Sequence, residues 1–297
     1  MSRGKSIKFF KPKFIIKKNE KPAVFIDTFM WHKILSNDKV KEHLIKHCES
    51  QKCLFVITSL QKGEMLQRNL FEKVEEICKR SLLIIPVGRI SANQIIHSLI
   101  AYSENKSEVI LDWNIMISKI PILKPPDSHL KEITKTLTYE LNKMRGEVRG
   151  NKEVFISGVI QVEREVWKRE FKIYWDMIPE FSKNFVNKNY EEFFYSDYFC
   201  NLPSVVFQSY LLGYTLRERE VKVNDIIDLN NISEFLPFTM LSILDKDQYN
   251  RLLMLKRDYP PLFKNIFEYV YIASYHHKAP DPQRALKSFL EWLERGE

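Results

Sequence analysis

The stretch Ala23-Val24-Phe25-Ile26-Asp27 runs four apolar residues into a carboxylate. A short apolar run of this kind reads as a strand buried on both faces, the signature of a parallel sheet. A charge at the carboxyl end of such a strand is costly unless something binds it. Other acids stand at comparable positions far along the chain. Glu64 lies just inside a helix that follows Phe55-Val56-Ile57-Thr58-Ser59, Asp225 and Asp228 follow a long helix, and Asp245 ends Leu241-Ser242-Ile243-Leu244. Carboxylates gathered at one sheet edge repel unless a cation neutralises them, which points to a divalent-metal site working on phosphate.

Outward from the first strand the pattern alternates. Thr28 is placed to cap a helix that carries Trp31, Ile34 and Leu35 towards Cys48. Leu54–Ile57 reads as a second strand, Ser59 as the cap of the next helix, and Leu82–Ile85 as a third strand stopped at Pro86. Strands separated by helices at these intervals imply right-handed crossovers and a parallel sheet. Ser91–Tyr102 predicts a helix, whereas residues 115–127 hold too many prolines for one long helix. Leu130, Ile133, Leu137, Leu141 and Met144 recur at three- and four-residue steps, an amphipathic helix, and helical spacing resumes over Val154–Tyr174. There Glu163, Arg164, Glu165, Lys168, Arg169 and Glu170 read as a solvated face. The aromatic residues of Phe181–Phe199 read as helix packing rather than a base-stacking platform.

The α/β pattern returns near Pro203. Leu241–Leu244 is a strand, Ile266–Ile272 a last one, and Ala285–Leu293 a terminal amphipathic helix. The fold class is therefore α/β, a three-layer α/β/α arrangement around a central, mostly parallel sheet, with a helical insertion. Its divisions are a basic arm over 1–20, a discontinuous α/β domain over 21–90 and 203–275, a mainly helical insertion over 91–202 and a carboxyl-terminal helix over 276–297.

Composition bounds the function. The net charge of +8 is concentrated at the start, where Arg3, Lys5, Lys8, Lys11, Lys13, Lys17, Lys18 and Lys21 face Glu20 alone. A basic arm can reach a phosphate backbone, so Lys5, Lys8, Lys11, Lys13, Lys17 and Lys18 are candidate nucleic-acid contacts; a merely solvated tail, partly structured by its Phe and Ile residues, is the other reading. Cys48, Cys53, Cys78 and Cys200 form no CxxC pair, which leaves reduced core thiols rather than a zinc knuckle or disulfide framework. No apolar stretch is long enough to span a membrane and no secretory-type segment follows the basic start, so a cytoplasmic protein without a membrane partner is expected.

In order and placement these residues resemble the PIN-domain nucleases. In that family an Asp closes the first strand, as Asp27 does, and a Ser or Thr after the second strand precedes a helical Glu, as in Ser59 to Glu64. A later Asp leads to Leu-Pro-Tyr, a hydrophobic strand and Asp-Lys or Asp-Arg. Here Asp228, Leu236-Pro237-Phe238, Leu241–Leu244 and Asp245-Lys246 follow in that order. Asp225 is an alternative to Asp228, which fits the distance to Leu236 better. The resemblance covers 20–90 and 203–275. It implies a ribonuclease, a hydrolase of phosphodiester bonds in RNA rather than DNA. Asp27, Glu64, Asp228 and Asp245 would be catalytic and would hold Mg²⁺ or Mn²⁺, with Thr58 and Ser59 in support. The family's further Asp, two residues after the aromatic, is Met240 here; Asp225 and Asp247 are the candidates to replace it at a second metal.

Two other readings stand beside this one. An Asp after a first strand is also found in aspartate-based phosphatases, but those carry a second Asp where this chain has Phe29, and Val87-Gly88-Arg89 is too little for a phosphate loop. A catalytically inactive PIN-like scaffold would bind RNA, a protein partner or a second copy of itself through the helical insertion.

Overall fold

A computed structural model of the chain describes residues 12–118, 127–147, 152–175, 190–258 and 271–274, together with 286–287, 290–291 and 294–295. The strands are β1 (Lys13–Lys17), β2 (Ala23–Ile26), β3 (Leu54–Thr58), β4 (Leu82–Ile85), β5 (Glu108–Asp112), β6 (Leu241–Leu244) and β7 (Tyr271–Ser274). Helices α1 (Thr28–Leu35), α2 (Asp38–Ser50), α3 (Ser59–Gln67) and α4 (Phe71–Cys78) separate β2, β3 and β4. Then come α5 (Arg89–Ser103), α6 (Trp113–Met116), α7 (Asp127–Glu147), α8 (Lys152–Trp175), α9 (Tyr190–Phe194), α10 (Asp197–Cys200), α11 (Pro203–Glu218), α12 (Val223–Phe235) and α13 (Lys246–Asp258).

Five strands form one parallel sheet in the order β4-β3-β2-β6-β7. The chain thus winds one way from β2 to β4, then returns to the other side of β2 and continues through β6 to β7. Right-handed crossovers running in opposite directions must place their helices on opposite faces. The packing obeys this. Val24, Ile26, Phe55, Ile57, Leu241 and Ile243 share one core with Trp31, Leu44 and Phe71 of α1, α2 and α4, whereas Ala23, Phe25, Val56 and Ile85 share the other with Leu211, Leu229 and Leu252 of α11, α12 and α13. Alternate residues of each strand serve alternate faces, and the result is the expected three-layer α/β/α arrangement.

The insertion is continuous with the second of these cores. Leu137 and Leu141 of α7, Phe155 and Val159 of α8, and Phe193, Phe194 and Phe199 join it. The described aromatic residues therefore act mainly as packing, with Tyr195 the exposed exception. α8 lies close against α11: a Cβ on Gly213 would come within 2.9 Å of Ile156 Cγ1. Glu163 departs from its expected solvated position. It is buried between these two helices, where its Oε2 accepts a hydrogen bond from Ser209 Oγ at 2.9 Å and its Oε1 has no partner. Helical periodicity puts Glu163 one step from the solvated face, and α11 covers that edge.

The basic arm also holds structure. β1 pairs in parallel with β5, Lys13 opposite Glu108 and Lys17 opposite Asp112, and Phe14 and Ile16 pack on the core. Both strands escape a sequence reading because each is short and has a partner far away in the chain. Two consequences can be tested. Burial raises the Glu163 carboxyl from 4.5 to about 8, against the opposing Ser209 bond. The unfolded chain releases that proton at lower pH than the folded chain does, so stability falls as pH rises through this window. Thermal and urea unfolding of Glu163→Gln should lose that slope, gaining ~1–3 kcal/mol over wild type near pH 9 and little near pH 5. Deleting residues 1–19 removes β1 and should cost about 2–3 kcal/mol of stability through lost apolar burial, read as a fall in the unfolding midpoint.

Candidate acidic metal centre

The strand order places its switch point between β2 and β6, whose carboxyl ends carry Asp27 and Asp245. Ligands of open α/β sheets bind at such a crevice. The register is firm there: Ile26 lies opposite Ile243, and the Asp27 amide donates to the Ile243 carbonyl at 2.9 Å. Both acids also start helices. Asp27 Oδ1 accepts the Phe29 amide at 2.9 Å at the head of α1, so Asp27 takes the capping role expected of Thr28, which is the first helical residue. Asp245 Oδ1 accepts the Gln248 amide at 2.8 Å at the head of α13. Capping and membership of the acidic group are thus compatible, because a cap needs one carboxylate oxygen. Among the described residues Asp27 Oδ2 has no hydrogen-bond partner.

Glu64 and Asp228 complete the group from α3 and α12. Charges act within the group: Glu64 on both Asp27 and Asp228, and Asp27 on Asp228. Burial, and then the charges of Asp27, Glu64, Asp245 and Asp225, push the Asp228 carboxyl from 3.8 up to about 7. Asp27 rises to about 6, chiefly through burial and with contributions from Asp245 and Glu64, against the Phe29 amide and Arg68. Asp245 is also raised, first by burial and then by Asp247, while the Gln248 and Asp247 amides and Arg251 oppose. Asp228 makes no hydrogen bond or ion pair among the described residues. Glu64 is paired at 2.8 Å with Arg68, the residue that follows α3.

The other acids sort differently. Asp225 accepts both terminal nitrogens of Arg219, at 2.6 and 2.7 Å, and the Lys222 amide at 2.7 Å. Burial raises its carboxyl, but these bonds and the Arg219 charge hold it below the usual range. A carboxylate so committed caps α12 and anchors Arg219; Asp228 is the free member of the pair. Asp247 is exposed in the first turn of α13. Met240 sits at the amino end of β6, where its amide donates to the Ala23 carbonyl. An acid at that position would lie a strand's length from Asp245.

Thr58, not Ser59, caps α3: its side chain accepts the Gln61 amide at 3.0 Å, while Ser59 Oγ accepts the Val87 amide at 3.3 Å. Gln61 in turn donates to the carbonyl of Ile26 at 2.6 Å, tying α3 to the residue before Asp27. These three side chains hold Glu64's helix against the sheet. Glu234 is a buried carboxylate absent from the sequence-derived set. Its oxygens accept the Gly88 and Ser91 amides, both at 3.2 Å, so it caps α5 from outside, and burial raises it to about 7. The amides after Val87 are therefore filled by the protein's own acid. The available signal was an acid set among Ile232, Phe235 and Leu236 in an apolar helix.

Of the basic arm, Lys5, Lys8 and Lys11 lie outside the described residues. Lys13 pairs with Glu108 at 3.9 Å, Lys17 is exposed, and Lys18 Nζ donates to the Thr239 carbonyl at 3.2 Å, at the opposite end of β6 from Asp245. Burial lowers Lys18 to about 8.

The donor set fits a hard divalent cation. One trio of potential ligand atoms among the described residues lies within 4.8 Å of one another, and it is elsewhere in the molecule. Among the described residues no three of these four acids bring ligand oxygens within 4.8 Å of one another, so a shared ion would need bridging water or side-chain movement. Because Asp228 is raised, metal-free stability should fall as pH rises from about 4 to about 7. In chelator, Asp228→Asn should exceed wild-type stability by ~1–2 kcal/mol near pH 8 and lose that advantage near pH 4, read by urea unfolding at both. Asn cannot ionise, so persistence of the gain at low pH would contradict the electrostatic account.

No protein-family model, curated protein or solved structure matches this chain.

Proposed function

We propose that the chain is a divalent-metal-dependent nuclease of the PIN-like kind, hydrolysing phosphodiester bonds in RNA rather than DNA. The observation that carries this reading is the placement of Asp27 and Asp245 at the switch point, with Asp228, which has no hydrogen bond or ion pair among the described residues, acted on by both charges. Four carboxylates in such a crevice repel a polyanion by themselves, so a phosphate substrate requires a cation between them. Asp27, Asp228 and Asp245 would hold Mg²⁺ or Mn²⁺, with Glu64 at the margin. The bound ion supplies an acidified water and neutralises charge developing at phosphorus.

The chain's own contribution is arrangement. The heads of α1 and α13 bring the positive ends of two helix dipoles to the crevice, which favours an anionic group there. Thr58, Ser59 and Gln61 keep α3 in place. Nothing in this centre reads a base, so the preference for RNA rests on the family resemblance. Exposed Lys17 belongs to the same proposal as a peripheral phosphate contact, whereas the inward bond of Lys18 favours a structural role.

A second reading has its own observation. Arg68 already supplies a cation to Glu64, which suits an inactive scaffold that binds RNA or a protein without cutting. Cleavage assays separate the two. Folded protein with mixed RNA and DNA substrates should cut RNA in Mg²⁺ or Mn²⁺ and stop on chelation. Asp27→Asn and Asp245→Asn should each lower kcat by at least about 100-fold, the scale of removing one preorganised polar group from a reaction centre. Asn keeps the capping oxygen, so both variants should unfold at near wild-type temperature. Chelator-insensitive cutting, or full activity in both variants, defeats the nuclease reading.

A further inference from the structure

Away from the acids, the carboxyl-terminal segment returns to α2. Leu286 and Leu290 are fully buried in the core beside α1–α4, and Glu294 follows at the same four-residue step. Opposite it α2 presents His43 and His47, also four apart and hence on one helix face. A ring nitrogen of each histidine and a Glu294 oxygen all lie within 4.8 Å of one another. α2 ends at Ser50, just before the amino end of β3, so this trio sits at the opposite end of the strands from Asp27 and Asp245.

The hydrogen bonds set a chemical problem. His47 Nδ1 is 3.0 Å from the His43 carbonyl, which can only accept, so Nδ1 carries a proton. His47 Nε2 then faces two more acceptors, the Leu290 carbonyl at 2.9 Å and Glu294 Oε1 at 3.6 Å. A neutral ring would direct a lone pair at both. A second proton on His47 would satisfy them but would leave His43 Nε2, which is buried and has no hydrogen-bond partner among the described residues. A cation held between the two rings and the carboxylate gives His43 Nε2, His47 Nε2 and Glu294 a common partner, in exchange for the His47 Nε2 contact with the Leu290 carbonyl. Lys46 also reaches Glu294 Oε1 at 3.6 Å, but it is 76% exposed and contributes little there.

We propose that His43, His47 and Glu294 form a transition-metal site of the zinc class that clamps the stretch carrying Leu290 and Glu294 onto α2. Imidazole nitrogens select such ions over Mg²⁺. Ligand bonds of about 2.0–2.2 Å put two donors roughly 3.4 Å apart around a tetrahedral ion, close to the 3.6 Å between His47 Nε2 and Glu294 Oε1. The bond from His47 Nδ1 to a backbone carbonyl is the outer partner that metal-bound histidines use to orient the ring and free Nε2. Two histidines and one carboxylate leave a fourth position for water. This inference is independent of the nuclease proposal.

The test uses the full chain, stripped with chelator and then titrated with Zn²⁺ in excess Mg²⁺ to occupy the acidic centre. One equivalent of Zn²⁺ should bind and raise the unfolding temperature. Co²⁺ in its place should show the intense visible absorption of a four-coordinate nitrogen-liganded ion, not the faint colour of an oxygen-only site. His47 is buried and its loss could unfold α2, so the informative variants are His43→Gln and Glu294→Gln. Each should weaken Zn²⁺ binding by at least about 100-fold, the upper end of what losing an outer partner costs, and abolish the temperature shift. Asp228→Asn should leave both unchanged. Absence of Zn²⁺ binding by wild type, equal binding by His43→Gln, or loss in Asp228→Asn alone would overturn the proposal.

Discussion

Pairing of β2 with β6 is the constraint on which the rest of the molecule depends. These strands lie more than 200 positions apart, yet Val24, Phe25 and Ile26 are in register with Leu241, Ser242 and Ile243. Until that ladder forms, the two halves of the sheet wind in opposite directions without a common centre. Once it forms, both faces are covered by helices and the reversal leaves a crevice at the carboxyl ends. Closing so large a loop costs conformational entropy that only extensive apolar burial offsets. The strand residues supply it, since β2 and β6 are buried along their whole length.

The long segment between β4 and β6 contributes to that same burial. α8 lies against α11 at backbone-limited distance near Gly213, and α7, α9 and α10 extend the core outward. The insertion therefore stabilises the half of the fold that brings Asp228 and Asp245 to the crevice. Glu163 is the cost of this arrangement, an acid kept protonated over the neutral range because α11 covers it. Burial of a carboxyl with one hydrogen bond is tolerable only in the neutral form.

Carboxylates of one chemical type thus take four roles according to what surrounds them. Asp225 is gripped by a guanidinium and an amide and stays ionised. Glu234 meets two amides at a helix head and serves as a cap. Glu163 is buried with a hydroxyl. Asp27, Asp228 and Asp245 are raised first by burial, with repulsion from neighbouring acids added, and a cation would offset both. The contrast separates acids with protein partners from the group at the crevice.

Much of this was written in the chain itself. The apolar runs at 23–26, 54–58, 82–85 and 241–244 are each long enough to be strands and too short to be helices, and Asp27 and Asp245 mark the carboxyl ends of the first and the last. The amphipathic repeats of α7 and α8 are equally plain, because a helix face is a local property. Other features had no local signature. β1 and β5 are strands only because each finds the other, and Glu163 is buried only because α11 lies over it. The separation of Asp225 from Asp228 turned on where Arg219 folds back. The trio of His43, His47 and Glu294 joins residues from opposite ends of the chain. Periodicity and strand ends are encoded by neighbours in sequence, so the sequence determined the layers and the candidate acids. Which acid is free, which is paired and which is buried depends on neighbours in space, and that only the tertiary structure decided.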